Sequence, residues 1–173
     1  MSVLLRAATP ADVGLLTYWD SKPHVIAATG ADEPEDWAKE LAEDPDWRWF
    51  LVAEDNGRPV GVVQIIDPRE EESHYWGEID AGLRAIDIWI GEEADLGHGL
   101  GTQMMSQALD QCFADSNVTA VLIDPLASNI RAHRFYERMG FSVVGPRRFG
   151  TDDCIVYRMD RSDWSAHEGA SHA

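Results

Sequence analysis

The chain has 173 residues, and its 14 Lys and Arg against 31 Asp and Glu give a formal net charge of −17. That length suits one domain with a sizeable core, and 45% hydrophobic residues with seven tryptophans argue against disorder despite the charge. The acidity weighs against nucleic acid, whose phosphates need clustered Lys and Arg; it suits a cationic ligand, or it simply keeps the chain in solution.

Leu4, Leu5 and their neighbours predict a short first strand ended by Thr9-Pro10. Thr9 can cap a helix with Pro10 at its first position, with Val13, Leu16 and Tyr18 or Trp19 on its buried side. A second helical piece follows Glu33-Pro34 and carries Trp37 and Leu41 at an i, i+4 spacing. It lies in a span, Asp32 to Asp46, that holds eight acids and one base, Lys39. Trp49–Ala53 is a strand, Asn56-Gly57 a hairpin turn in which both residues tolerate positive φ, and Val60–Ile66 the return strand. An acidic loop from Asp67 to about Gly77 leads into a long strand near Ile79–Ile90.

The second half changes rhythm. Gly97-His98-Gly99-Leu100-Gly101-Thr102 opens a helix whose apolar positions, Leu100, Met104, Met105, Ala108, Leu109, Cys112 and Phe113, fit a 3.6-residue period. Val118–Ile123 is a strand stopped by Asp124-Pro125, and Ser128 caps a helix with Ala132, Phe135, Tyr136 and Met139, closed by Gly140. Phe141–Val144 and Cys154–Met159 form a closing antiparallel pair, and residues 161–173 a loose polar tail. The order β-α-α-β-β-β-α-β-α-β-β describes a single α/β domain over residues 1–160, a mixed central sheet flanked by helices.

No apolar run approaches the ~18–20 residues of a membrane span, and no basic region precedes the brief apolar stretch at the start, so no secretory signal is expected. Cys112 and Cys154 stand far apart without a CxxC partner, which suits a reducing cytoplasm. The six histidines show no ligand spacing, so no metal is expected.

Glycines at 97, 99 and 101 between a strand and a helix expose main-chain amides at a helix N-terminus. Such a loop is an anion site suited to a pyrophosphate, or only a tight turn. It is neither the dinucleotide fingerprint nor a P-loop. Downstream, Asn129-x-x-Ala132-x-x-x-Tyr136-Glu137-x-x-Gly140-Phe141 joins a strand end to a capped helix; Tyr136 alone could equally fill the core. In that order the two segments resemble the GNAT (Gcn5-related) N-acetyltransferases over nearly the whole chain. A closer resemblance, to the aminoglycoside 6′-N-acetyltransferases, rests on Gly82-Leu83-Arg84-Ala85-Ile86-Asp87, on Leu96 to Thr102, and on Thr119…Asp124-Pro125-x-x-Ser128-Asn129-x-Arg131-Ala132. One departure is Leu96, where the family carries Arg or Gln ahead of the loop.

The resemblance implies acetyl-CoA as co-substrate, with the loop residues Gly97, His98, Gly99, Leu100, Gly101 and Thr102 on its phosphates and Asn129, Ala132 and Tyr136 along its length. It implies backbone N–H groups of Ile88, Trp89 and Ile90 polarising the acetyl carbonyl. Asp87 would take the proton of the amine, directly or through water, and Tyr136 would serve the departing thiolate. No covalent enzyme intermediate is implied, and neither cysteine has a nucleophile's surroundings. The strand around Asp87 reads as buried on both faces, so an internal ion pair with Arg84 or Arg131 is the alternative role for that carboxylate. Asp124 would hold a neighbouring ammonium of the cationic aminoglycoside, or else it is an ordinary residue before proline. Glu70, Glu71, Glu72, Glu78 and Asp80 border the cleft in the resembled enzymes, and Tyr75 and Trp76 fall where those enzymes cover the sugar; a charge run of this kind is also what a solvated face looks like. Competing readings are acetylation of another amine (a siderophore hydroxylamine, a polyamine, a protein N-terminus) and an acyl-CoA-binding module without catalysis.

Overall fold

The computed structural model describes residues 2–30 and 34–171; Asp32 and Glu33 of the acid-rich span, and the last two residues of the predicted tail, lie outside the described residues. The chain divides into two compact units, Met1–Ile66 with Asp87–Ala108 and Asp67–Ile86 with Leu109–Ala173.

The first unit opens with β1 (Val3–Ala7). A single 3-10 turn at Pro10–Asp12 then leads into α1 (Val13–Asp20). Asp12 ties these together, because its carboxylate accepts the Thr9 amide at 2.8 Å and pairs with Arg6 at 2.8 Å. That partner holds the Asp12 carboxyl below the usual carboxylate range. Of the two candidates for the buried side of α1, Trp19 is the core residue and Tyr18 stays exposed. α2 (Pro23–Thr29) adds a helix to the predicted order. Pro23 sits in its first turn, where a missing N–H is harmless, and Gly30 at φ 96° ends it. α3 (Trp37–Glu43) is capped by Asp36, whose side chain accepts the Lys39 amide. Trp37 donates its indole N–H to Asp20 at 2.7 Å. β2 (Arg48–Asp55) and β3 (Arg58–Ile66) form the predicted antiparallel hairpin, with Asn56 and Gly57 both at positive φ.

Leu16, Trp19, Trp37 and Val62 form the centre of this unit's core, with Leu41, Phe50 and Trp89 packed around them. Burying each of the two rings contributes about 4–6 kcal/mol of transfer free energy. Gly91 belongs to the same packing: a Cβ there would lie 2.0 Å from the Trp19 ring, so only glycine lets the chain pass.

The second unit holds β5 (Ala120–Ile123), α5 (Ile130–Met139), β6 (Ser142–Phe149), β7 (Asp152–Asp160) and α6 (Arg161–Ser171). β4 (Leu83–Ile90) and α4 (Leu100–Ala114) each run from one unit into the other along the chain. β4 begins four residues later than predicted, at Leu83 rather than Ile79. Gly82 turns the chain at φ 81° while its carbonyl accepts the Thr119 amide at 2.7 Å, which starts the parallel pairing of Leu83–Ala85 with Ala120–Leu122. Asn129, not Ser128, caps α5: its side chain accepts the Ala132 amide at 3.2 Å. Gly140 closes that helix at φ 100°, as predicted.

Residues 161–171 form α6 instead of a loose tail. Arg161 anchors it on the carbonyls of Phe113, Asp115 and Val118, and Trp164 stacks on Phe113 with ring centroids 4.9 Å apart. The predicted α/β class with a mixed sheet is observed. Its hydrogen-bonded strand order is β1-β2-β3-β4-β5-β7-β6. β4 and β5 run parallel, while β1/β2, β2/β3, β5/β7 and β6/β7 run antiparallel. Among the described residues no helix is long and apolar enough to cross a membrane.

Candidate active site

In the first unit the candidate chemistry lies on the second half of β4 and on the loop that opens α4. Asp87 is exposed, against the expectation of a strand buried on both faces; Ile88, Trp89 and Ile90 are half-buried. The backbone register with β5 runs only from Leu83 to Ala85, so Asp87 lies past that pairing. Alternation along a strand places Asp87 and Trp89 on one face. The Trp89 ring leans on Trp37, with centroids 6.3 Å apart, and its buried Nε1 has no hydrogen-bond partner among the described residues. Arg84 pairs with Asp67 at 3.3 Å and with Asp115 at 3.5 Å.

The glycine loop is set up by a 3-10 turn at Glu93–Asp95. Arg58 grips Asp95 through two bonds of 2.9 Å, which hold the Asp95 carboxyl below its usual range. Gly97 and Gly99 follow at φ 77° and 79°, and the space a Cβ on Gly99 would enter is open. Gly97, His98, Gly99 and Thr102 are exposed while Leu100 is buried, so the loop shows its main chain outward and fastens itself by one apolar side chain. The helix behind it is pinned to β1. Gln103 accepts the Val3 amide and Gln107 accepts the Leu5 amide, both at 3.2 Å. No acidic side chain occupies the first turn of α4, which leaves the positive end of its dipole uncancelled. These exposed amides and glycines fit a coenzyme pyrophosphate.

The second unit gathers an aromatic and carboxylate corner. Asp124 follows the end of β5, and the Tyr75 hydroxyl donates to its Oδ2 at 2.5 Å. The Tyr75 ring stacks on Phe149 with centroids 4.5 Å apart and planes 6° from parallel. Trp76 meets Phe149 edge-on at 5.1 Å, and Arg147 donates to the Trp76 carbonyl at 2.9 Å while its guanidinium lies 4.6 Å from the Phe149 centroid. Burial pushes the Asp124 carboxyl up to about 6; the Tyr75 bond and the charge of Arg147 pull it down, and Asp152 repels it. Glu71 shapes the loop that delivers Tyr75, accepting the amides of Ser73 at 2.7 Å and Tyr75 at 3.0 Å.

The predicted aromatic pair divides in role: Tyr75 is 46% exposed, whereas Trp76 is 3% exposed and is core rather than rim. Glu72 is an exposed loop residue. Asp80 and Glu78 line a separate open hollow with Arg69, His74, Gly77 and Ile79. Tyr136, in α5, is buried with its ring edge-on to Phe141 at 5.8 Å and tilted toward Tyr157 at 6.0 Å. Tyr157, which sequence reasoning passed over, sets its hydroxyl 3.1 Å from His133 Nδ1 and donates to Glu137 at 3.3 Å. Arg147, Phe149 and Tyr157 were missed for one reason: they lie on a closing hairpin, where no local spacing marks a residue as belonging to a site.

The model of the acetyltransferase (GNAT) domain matches residues 8–149. Aminoglycoside N(6′)-acetyltransferase type 1 of Klebsiella pneumoniae is 30% identical over 154 residues, covering 83% of this chain and 76% of that protein. A kanamycin resistance protein of Rhizobium radiobacter is 40% identical over 76 residues, 43% of this chain and 70% of that protein. The crystal structure of aminoglycoside acetyltransferase AAC(6′)-Ib with coenzyme A and kanamycin superposes with a TM-score of 0.85 at 27% identity, over 95% of this chain and 98% of that one.

Proposed function

The chain belongs to the GNAT acetyltransferase family, and on that premise we propose that it is an acetyl-CoA-dependent aminoglycoside 6′-N-acetyltransferase, a resistance enzyme. The observation that carries the chemistry is the exposed position of Asp87 on β4, past the end of the pairing with β5 at Ala85. The substrate class is supported by the relatives' names, by the net charge of −17, and by the Asp124 corner. Bound acetyl-CoA supplies the acetyl group as an activated thioester.

The exposed amides of Gly97 to Thr102 hold the pyrophosphate, with Asn129, Ala132 and Tyr136 along the rest of the coenzyme. Leu96 contributes no polar contact there. Asp87 accepts the proton that the attacking amine must lose, directly or through water. Amides of the Ile88–Ile90 segment polarise the acetyl carbonyl, and the Tyr136 phenol gives a hydrogen bond or proton to the departing sulfur. Asp124 holds a second ammonium of the substrate, and Tyr75 offers its ring to the sugar; Glu72 and Asp80 add negative potential. The reaction is direct transfer in a ternary complex, in the cytoplasm, without a metal or a nucleic-acid partner.

Purified protein mixed with acetyl-CoA and kanamycin, tobramycin or gentamicin C1a, with free CoA followed by a thiol reagent, tests this reading. Drug-dependent release is expected, and spermidine in place of the drug should release far less. Acetyl-CoA binding without drug-dependent release would sink the assignment.

A further inference from the structure

The Asp124 corner carries an interaction that the sequence pattern does not supply. A carboxylate offered to a polycation is most useful when one oxygen is held still and the other faces the ligand, and Tyr75 does the holding here. Its hydroxyl donates to Asp124 Oδ2 at 2.5 Å, a short charge-assisted bond. The phenol in turn has little freedom. Its ring lies flat on Phe149, its backbone amide is fixed by Glu71, and the neighbouring Trp76 carbonyl is held by Arg147.

Building on the aminoglycoside reading, we propose that Tyr75 is a positioning residue. It fixes the Asp124 carboxylate through Oδ2 in the orientation that receives a substrate ammonium. The Phe149 stack sets the phenol at the required height.

The electrostatics agree. Burial works against an ionised Asp124, and the facing groups are Tyr75 from the loop, Arg147 from β6 and Asp152 from β7. Tyr75, the bond from Asp124's own backbone amide and Arg147 favour the charged form, and Asp152 opposes it. Removing the phenol leaves burial and Asp152 less opposed, so the carboxyl must titrate at higher pH. A purely structural tyrosine would not move that titration.

The test pairs a ligand-free measurement with a kinetic one. NMR titration of carbon-13-labelled aspartate carboxyls, with Asp124→Asn identifying the resonance, should show Asp124 titrating at higher pH in Tyr75→Phe than in the parent. In the same variant KM for kanamycin should rise about tenfold, as expected for one lost bond to a charged group, with the loss on KM rather than kcat. The acid limb of kcat/KM should shift to higher pH. In the Asp124→Asn background Tyr75→Phe should add almost nothing. Phe149→Leu, which keeps the phenol and removes its support, should move the titration part of the way and covers the case in which Tyr75→Phe folds poorly.

An unmoved titration with an unmoved KM overturns the proposal, as does a Tyr75→Phe penalty of the same size with and without Asp124. A moved titration in a protein that acetylates no aminoglycoside keeps the Tyr75–Asp124 coupling and rejects the substrate reading alone.

Discussion

The loop from Leu96 to Thr102 and the corner around Asp124 are built on opposite plans. The loop presents main chain: two glycines at positive φ, exposed backbone, and a single buried leucine for anchorage. The corner presents side chains drawn from a loop, a strand end and a hairpin, and each is held by another. The difference teaches where specificity can be encoded. A main-chain anion site is written in consecutive residues, because glycine spacing dictates φ. A side-chain site depends on which segments meet, and its members tune one another's charge.

The comparison breaks most visibly at Asp87. Asp87→Asn should lower kcat by ~10²–10⁴-fold, the range for a positioned base. Because Asp87 is exposed, circular dichroism and the melting temperature should stay close to those of the parent. Next in size is Gly91→Ala, which brings a methyl within 2.0 Å of the Trp19 ring. Overpacking of this kind should cost about 1–3 kcal/mol in urea unfolding, with KM values little changed in the fraction that remains folded.

The main-chain plan is sharpened by Gly99→Val. A β-branched residue at φ 79° is strained although space is open beside it. KM for acetyl-CoA should rise roughly tenfold, about the ~1–2 kcal/mol of that backbone strain, and KM for the drug should move much less. The opposite pattern would show that the loop does not serve the coenzyme.

The side-chain plan is sharpened by pH. Asp124 is pushed up to about 6, so its carboxylate charge grows in as pH rises through that value. KM for a polycationic drug should therefore worsen as pH falls below about 6, and Asp124→Asn should flatten that dependence. The stability sign is the reverse. A carboxyl whose pKa is raised above the ordinary value of 3.8 contributes stability fully below 3.8 and loses it as pH rises through about 6. Asp124→Asn should thus raise the melting temperature slightly at pH 8 and lose that advantage near pH 4.

The same contrast explains what the sequence made legible. The glycine loop, the Asn56-Gly57 hairpin and the Gly140 helix end were readable because each is a local conformational demand. The start of β4 was misplaced because the turn at Gly82 is fixed by Thr119, far along the chain. α6 was read as a tail because its hold on the rest, Arg161 on three carbonyls and Trp164 on Phe113, is tertiary. Trp76 was assigned to the rim beside Tyr75 because adjacent aromatics look alike in sequence; only packing against Phe149 and Arg147 separates the buried ring from the exposed one. Asp87 lies on its predicted strand but is exposed, since apolar neighbours in sequence do not record which face of a strand is covered.

The central claim, acetyl transfer to a 6′-amine, is tested most directly by two aminoglycosides that differ only at that position, one with an amine and one with a hydroxyl. CoA release should be rapid with the amine and at background with the hydroxyl compound. Equal release from both, or none from either, would contradict the account.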